Sequence, residues 1–356
     1  MVASFPGLGR PDLSVLVPAR NEEASLAACL DSLVCQSGLS FEIIVIDDGS
    51  TDRTREIACS YRNVRVITPG PLFPEVIGKN NALMAGAARA RGEWLLFTDA
   101  DTVHQPESLL RSVSEARMRG VELLSYSPEQ EVHTFAERAV MPVIFSELAA
   151  TYPPAEVSDP NSPIAAANGQ FLLIRRSAYD AVGGHASVAG DILEDVALAR
   201  LVKKSGRKIL FRYGGDVLRT RMYRTYRDLR DGWTKNLALL FPQPVRLAMS
   251  RLQECTVLIA GLAFAVWAAL ERHFDLAVLS VILCIALMVL LIRRTARDHF
   301  GWSSNVLFLF GLLMFSYLLV RSKLFHRLGK VRWKGREYSS GSHLPASSGT
   351  HVKHTA

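Results

Sequence analysis

Three uncharged, apolar segments near the end of the chain limit what this sequence can fold into. They cover residues 255–270, 276–292 and 305–320, and the charged clusters ERHFD and RRTARDHFGW separate them. A helix needs about 20 residues to cross the hydrocarbon core of a membrane, with about 17 as the lower limit, and the segments approach that length. Buried helices of a soluble domain are the alternative, but they explain three such segments in succession poorly. The sequence therefore predicts a membrane region with about three hydrophobic helices.

The charges around these segments leave two topologies open. Arg246 and Arg251 precede the first segment, which by the positive-inside rule places the preceding domain in the cytoplasm. Arg293 and Arg294 after the second segment agree. Three complete crossings would then export residues 321–336, which carry seven basic residues and no acidic one. Either one segment is re-entrant or interfacial and the tail stays cytoplasmic, which we favour, or the tail lies outside.

Composition favours a membrane protein whose main domain lies in a reducing compartment. The mean hydropathy is +0.15 although the net charge is +7, so apolar residues are concentrated in part of the chain. The five cysteines are odd in number and lack metal-ligand spacing, which is typical of cytoplasmic proteins. The first residues lack the apolar stretch of a signal peptide. We predict a multi-pass protein of the inner (plasma) membrane with a cytoplasmic N-terminal domain, and we expect no nucleic-acid partner.

Upstream of residue 224, short apolar runs alternate with helical patterns. Continuous apolar strands separated by helices are typical of a mostly parallel sheet covered on both faces, which predicts an α/β domain. The strand-like runs cover residues 13–18, 41–47, 63–68, 93–99, 121–127 and 171–176.

The sequence divides into four predicted parts. These are the α/β domain (1–223), an amphipathic interfacial segment (224–251), the membrane region (252–320) and a basic juxtamembrane tail that is disordered at its end (321–356). In the interfacial segment, the helical pattern at 226–240 sets apolar residues such as Trp233 against basic ones, although an ordinary surface helix would look similar. Residues 133–152 are a second candidate for an interfacial helix.

Acidic residues follow two of the predicted strands and begin one later helix. Asp47, Asp48, Gly49 and Ser50 follow the strand FEIIVI, where a turn that caps the next helix is an equally good reading. Asp99 and Asp101 follow EWLLFT; open α/β sheets bind ligands at this edge, and such oxygen ligands suit Mg²⁺ or Mn²⁺ shared with phosphate oxygens. The third pair, Glu194 and Asp195, begins a helix, where favourable contact with the helix dipole is the alternative.

Several common site patterns are absent from the sequence. No G-x-G-x-x-G follows the first strand, and the chain contains neither G-x-x-x-x-G-K-[ST] nor G-x-S-x-G. These absences count against a dinucleotide-dependent oxidoreductase, a P-loop ATPase and a hydrolase with a nucleophile elbow. The nine histidines are scattered, which counts against a histidine-based zinc site.

The motifs PARNEE (18–23), DDGSTD (47–52), GKNNAL (78–83), TDAD (98–101) and LEDVAL (193–198) occur in the order found in family-2 glycosyltransferases. The chain resembles that family over nearly its whole length, including the apolar helices at the end. The resemblance implies a GT-A fold and a nucleotide-sugar donor. It implies the following donor-binding residues: Pro18, Ala19, Asn21, Glu22, Asp47, Asp48, Gly49, Lys79, Asp99 and Asp101.

The same resemblance assigns the chemistry. Asp99 and Asp101 would hold the donor diphosphate through Mg²⁺ or Mn²⁺. Asp195 would be the catalytic base, and repulsion from Glu194 would raise its pKa. These roles imply a metal-dependent glycosyltransferase that inverts the anomeric carbon.

Two segments suggest the acceptor. Residues 166–199 are similar to hopanoid-associated glycosyltransferases, whereas residues 221–237 and the tail are similar to carotenoid-acid glycosyltransferases; both act on isoprenoid lipids. A lipid acceptor is therefore implied, and its side of the site is assigned to Asn168, Gly169, Gln170, Trp233 and Lys235.

The function expected from the sequence is transfer of a hexose from a UDP-hexose, such as UDP-glucose, to a lipid at the membrane surface. A polysaccharide synthase is an alternative, but the Q-x-x-R-W box of such enzymes is reduced to Trp233 within LRDGW, and interfacial anchoring explains this tryptophan equally well. A catalytically silent membrane scaffold and a nucleotide-sugar pyrophosphorylase are less favoured. For the basic run 321–336, binding of anionic lipid headgroups and a purely topogenic role both remain open.

Overall fold

A seven-stranded sheet forms the centre of the N-terminal domain. The computed structural model describes residues 9–73, 75–295, 300–301, 304 and 307–338. In chain order the strands are β1 (Leu13–Ala19), β2 (Phe41–Asp47), β3 (Val64–Ile67), β4 (Trp94–Phe97), β5 (Thr102–His104), β6 (Leu123–Ser127), β7 (Glu129–Gln130), β8 (Leu172–Arg175), β9 (Ile209–Tyr213), β10 (Leu218–Thr220), β11 (Val331–Trp333) and β12 (Arg336–Tyr338).

Helices cover both faces of this sheet and form the C-terminal region. They are α1 (Leu26–Val34), α2 (Thr54–Ser60), α3 (Gly78–Arg89), α4 (Ser108–Arg119), α5 (Phe135–Thr151), α6 (Pro154–Ser158), α7 (Arg176–Ala181), α8 (Glu194–Lys204), α9 (Tyr226–Leu240), α10 (Pro244–Leu270), α11 (Phe274–Thr295) and α12 (Phe308–Arg327).

The strand order of the large sheet is β3-β2-β1-β4-β8-β6-β9, and only β8 runs antiparallel to its neighbours. Successive residues of β1 point to opposite faces, so Val15 and Leu16 enter different cores. The predicted α/β domain with a mostly parallel sheet is confirmed. Because β1, β2 and β4 are parallel, their carboxyl ends meet at one edge, where Ala19 pairs with Asp47.

Helices α10, α11 and α12 are each long and apolar enough to cross a membrane. Helices α10 and α11 pack against each other, and apolar side chains such as Ile259 and Leu283 are exposed on them. The third helix differs, because it packs along α5 and α9 of the N-terminal domain. Within the most apolar stretch of each helix, 44% of α12 is buried inside the protein, against 22% of α10 and 17% of α11.

The apolar faces of the two predicted interfacial helices pack against other helices of the protein. Trp233 and Leu237 of α9 are buried in a cluster with Phe315 of α12, and Val140 and Ile144 of α5 join the same cluster. The apolar face of an amphipathic helix can be covered by a neighbouring helix as well as by lipid, and here α12 covers it. The proposed boundary at residues 251 and 252 falls within a continuous helix, since α10 begins at Pro244.

Candidate active site

A cleft of about 1100 Å³ lies at the carboxyl edge of the sheet. Residues from seven separate stretches that the sequence predicted to form the site converge there. Of the residues predicted from sequence, the following line it: Pro18, Ala19, Asn21, Glu22, Asp48, Lys79, Asp99, Asp101, Asn168, Gly169, Gln170, Glu194, Asp195, Trp233 and Lys235.

Two residues predicted to bind the donor have other partners. Asp47 is buried at the end of β2, where its carboxylate accepts a hydrogen bond from the Ser50 amide and pairs with Arg55 at 3.3 Å. Gly49 does not line the cleft; its φ of +68° forms the turn after Asp48. Both residues hold the turn in place, which matches the structural alternative for this motif.

An ion-paired cluster joins the end of β4 to the start of α8. The Lys79 ammonium lies 2.8 Å from Asp99 and 2.9 Å from Glu194. The Gly169 amide donates a 2.7 Å hydrogen bond to Asp195 Oδ2. Residues far apart in sequence are thus brought together around one lysine.

The two carboxyl groups of the acidic pair in α8 have pKa values that are shifted in opposite directions. Burial, followed by repulsion from Glu194, raises the pKa of Asp195 to about 6. Burial opposes ionisation of Glu194 as well, but Lys79 and Lys235 hold the pKa of that residue below its usual value. The predicted influence of Glu194 on Asp195 is present, second to burial.

The surroundings of Asp101 suit a carboxylate that binds a cation. Burial, and then repulsion from Asp99 and Glu22, raise the pKa of Asp101 to about 8. Its Oδ1 atom is buried and forms no hydrogen bond within the described part of the chain. The described residues contain no cluster of three or more metal-ligating side chains, so a metal held by Asp99 and Asp101 would need ligands from the substrate or water.

A buried polar network fixes the turn that carries Asp99 and Asp101. Thr98 Oγ1 lies within hydrogen-bond distance of Thr102 (2.9 Å), His104 (3.1 Å) and the Gln170 carbonyl (2.8 Å). Burial lowers the pKa of His104 to about 3, so the imidazole is neutral. This network binds β4, β5 and the loop before β8 together beneath the carboxylates.

The residues assigned to the acceptor side differ in environment. Trp233 is buried and directs its indole nitrogen to Met141 Sδ at 3.4 Å, so packing accounts for much of its position. Burial lowers the pKa of Lys235, and Glu194 opposes that shift. Asn168 accepts a hydrogen bond from the Gln170 amide, which shapes the loop around Gly169.

The basic tail reaches the cleft, which the sequence reasoning missed. Lys334 pairs with Glu22, and Arg336 forms two hydrogen bonds with Asp48, one of them 2.9 Å long. Arg20 also connects the two regions, because it donates to the carbonyls of Asp48 and Lys334. Lys334 and Arg336 therefore face protein carboxylates, which neither binding of lipid headgroups nor a topogenic role of the tail predicts. The similarity of the tail to carotenoid-acid glycosyltransferases links it to the enzyme but does not predict these contacts.

Comparison with known proteins agrees with this geometry. Residues 14–183 match the model of glycosyl transferase family 2. The 4,4'-diaponeurosporenoate glycosyltransferase of Staphylococcus aureus strain USA300 is 27% identical over 343 residues, covering 92% of this chain and 88% of the relative. A mannosyltransferase of Pyrobaculum calidifontis, solved in complex with GDP-Man and Mn²⁺, aligns with a TM-score of 0.54 at 19% identity, covering 89% of this chain and 87% of the other. Residues 14–183 are therefore similar to glycosyl transferase family 2, the fold is GT-A, and the chain is a glycosyltransferase that uses a nucleotide-sugar donor.

Proposed function

We propose that this enzyme transfers a hexose from a nucleoside-diphosphate sugar to a membrane lipid, with inversion at the anomeric carbon. The observation that carries the proposal is the contact of Lys79 with both Asp99 and Glu194. It brings the carboxylates after β4 and the acidic pair of α8 into one cleft, where a donor and an acceptor can meet. UDP-glucose is the donor that we propose to test first.

Asp195 is the proposed base. Hydrogen bonds from the amides of Gly169 and Val196 fix its carboxylate. With a pKa of about 6 it is ionised at neutral pH and can accept the proton of an attacking hydroxyl. The acceptor oxygen would bond to the anomeric carbon as the bond from that carbon to the diphosphate oxygen breaks on the opposite face.

Asp99 and Asp101 are the residues that would hold Mg²⁺ or Mn²⁺. The buried Asp101 oxygen, which has no hydrogen-bond partner among the described residues, supports this assignment, as do the hard oxygen ligands of the pair. When bound, the ion would stabilise the negative charge that develops on the leaving diphosphate. Lys79 would orient Asp99 and add a further positive charge close to the reacting groups.

A lipid acceptor is supported by apolar side chains in the cleft. Phe145, Leu148, Leu240 and Phe300 line it, and the rings of Phe145 and Phe300 lie 6.0 Å apart. Phe145 belongs to α5 and Leu240 to α9, the helices that pack against α12. The name of the Staphylococcus aureus relative, which specifies a carotenoid acid, supports an isoprenoid lipid as the acceptor.

We further propose that α10 and α11 form a membrane hairpin, that α12 lies at the cytoplasmic surface of the inner membrane, and that the catalytic domain is cytoplasmic. Glu147 of α5 lies 3.2 Å from Arg251 and 3.7 Å from Arg294, so it holds the start of one helix beside the end of the other. The contacts of the tail with Glu22 and Asp48 support a chain end on the catalytic side. These observations favour the topology in which the third apolar segment does not cross.

The test uses membranes containing the enzyme, radiolabelled UDP-glucose or GDP-mannose, Mn²⁺ and a bacterial lipid extract. We expect label in the organic phase with the parent. Asp195→Asn should reduce that label by about 10²–10⁴-fold for a hydroxyl acceptor. Asp180→Asn, at an exposed position on α7, is the matched control and should behave as the parent.

Two outcomes would contradict the proposal in different ways. Label that stays in the aqueous phase with every donor would argue against a lipid acceptor. Label that enters lipid equally with the parent and Asp195→Asn would remove Asp195 as the base, unless the product is a sugar ester. A carboxylate acceptor needs no base and yields a sugar ester. Alkaline hydrolysis of the product identifies such an ester.

A further inference from the structure

The C-terminal hairpin of β11 and β12 is held in the cleft by contacts that do not involve its charged tips. Val331 is buried, and the Trp333 ring lies edge-on to Tyr223 at 6.3 Å. Arg20 donates a 3.2 Å hydrogen bond to the Lys334 carbonyl. The hairpin can therefore stay docked while the side chains of Lys334 and Arg336 change partners.

The turn of the hairpin directs Lys334 toward the site. Lys334 and Gly335 both have positive φ angles, 45° and 76°, as a two-residue type I′ turn requires. Lys334 contacts Glu22, and both residues line the cleft together with Asp101. Its ammonium group thus lies beside Glu22 in the cleft where the diphosphate of a donor would enter.

The negative charge of the acidic residues near Lys334 explains why a cation is needed beside a bound diphosphate. Glu22, Asp48, Asp99 and Asp101 line the same part of the cleft, and a nucleoside-diphosphate sugar adds further negative charge. Lys79 is already shared between two carboxylates, Asp99 and Glu194. Lys334 can exchange Glu22 for a phosphate oxygen, and a charge-assisted hydrogen bond to phosphate is among the strong ones.

We propose that the C-terminal hairpin is part of the donor site, in which Lys334 binds the diphosphate and Arg336 orients Asp48 toward the nucleoside. This inference rests on the proposed function, because it assumes that the donor lies between Asp48 and Asp101. The hairpin would then close the cleft over the donor from the chain end, and residues 331–338 would belong to the catalytic unit.

The test measures nucleotide binding by isothermal titration calorimetry, with the purified full chain in detergent and Mn²⁺. UDP, GDP, CDP and dTDP are compared first, and the tightest binder is then used together with its monophosphate. Lys334→Met should weaken binding of the diphosphate about tenfold or more and binding of the monophosphate clearly less. Lys334→Arg should keep most of the affinity. Lys330→Met, which removes an exposed charge just before β11, should bind as the parent does.

Each outcome separates this inference from the proposed function. If no diphosphate binds the parent, both are overturned. If the parent binds and Lys334→Met binds equally well, the inference fails and the proposed function stands. Tighter binding by Lys334→Met would mean that the hairpin blocks the donor site, which also overturns the inference. Unchanged thermal unfolding of Lys334→Met shows that a loss of affinity does not come from loss of the fold.

Discussion

The two walls of the cleft carry opposite charges and come from distant parts of the chain. The acidic wall follows strands β1, β2 and β4 and includes Asp48 and Asp101, whereas the basic wall is a short hairpin at residues 331–338. Residues paired across the cleft, such as Glu22 and Lys334, are 312 positions apart. The acidic wall is fixed by the sheet itself, while the basic wall depends on α12 leading the chain end back to the sheet.

This difference suggests that the two walls contribute to different steps of the reaction. The acidic wall is proposed to hold the metal, so its residues should affect the chemical step most. The basic wall is proposed to bind the donor, so its residues should affect affinity. Substitutions on the two walls should therefore separate into effects on kcat and effects on KM.

The largest effect is expected on the acidic wall, for Asp101→Asn. The substitution removes a proposed metal ligand and its charge, so kcat/KM should fall by about 10³-fold or more. The measurement is the initial rate of transfer at several Mn²⁺ concentrations. Asp180→Asn is the control. A value for Asp101→Asn within tenfold of the parent at all metal concentrations would rule out an essential role for Asp101.

The acidic wall could be predicted from the sequence because each part of it lies next to a recognisable element. Asp48 and Asp99 directly follow apolar runs, and the carboxyl ends of parallel strands must meet at one edge. The sequence does not show that Asp47 and Gly49 differ in role from Asp48, which lines the cleft. Whether a residue beside a turn lines a cleft or caps a neighbouring amide depends on side-chain direction, which periodicity does not give.

The basic wall could not be predicted because it depends on packing between distant elements. Three apolar segments of similar composition predicted three similar helices, but α12 packs along α5 and α9 as well as along α10, whereas α11 packs mainly on α10 and only slightly on α5. An apolar helix face is the same in sequence whether lipid or protein covers it. Whether protein or lipid covers α12 decides on which side of the membrane the tail ends. It therefore also decides which groups Lys334 and Arg336 contact.

A smaller effect is expected in the pH dependence of kcat. Asp195 must be ionised to act as a base, and its pKa is about 6, so kcat should fall about tenfold per pH unit below pH 6 and level off above it. Glu194, Lys79, Lys235 and Tyr152 are the ionisable groups that act on it. The measurement is kcat between pH 5 and 8 with a hydroxyl-bearing lipid and saturating donor. A flat profile for the parent, or an unchanged profile for Asp195→Asn, would contradict this assignment.

The smallest effect is expected where the two walls meet, for Gly78→Ala. A Cβ atom at this position would overlap Arg336 Nη1 and lie 3.0 Å from Asp48 Oδ2, so the Arg336 guanidinium must shift and its contact with Asp48 is disturbed. Gly78 begins α3 and has no positive φ, so alanine suits the backbone. If Arg336 orients Asp48 toward the nucleoside, the KM for the donor should rise about three- to tenfold with little change in kcat or thermal unfolding.

Gly70→Ala is the matched control, because a Cβ there meets open space. An unchanged KM for Gly78→Ala would mean that the contact between the two walls does not contribute to donor binding, and would leave Lys334 as the only hairpin side chain proposed to bind the donor.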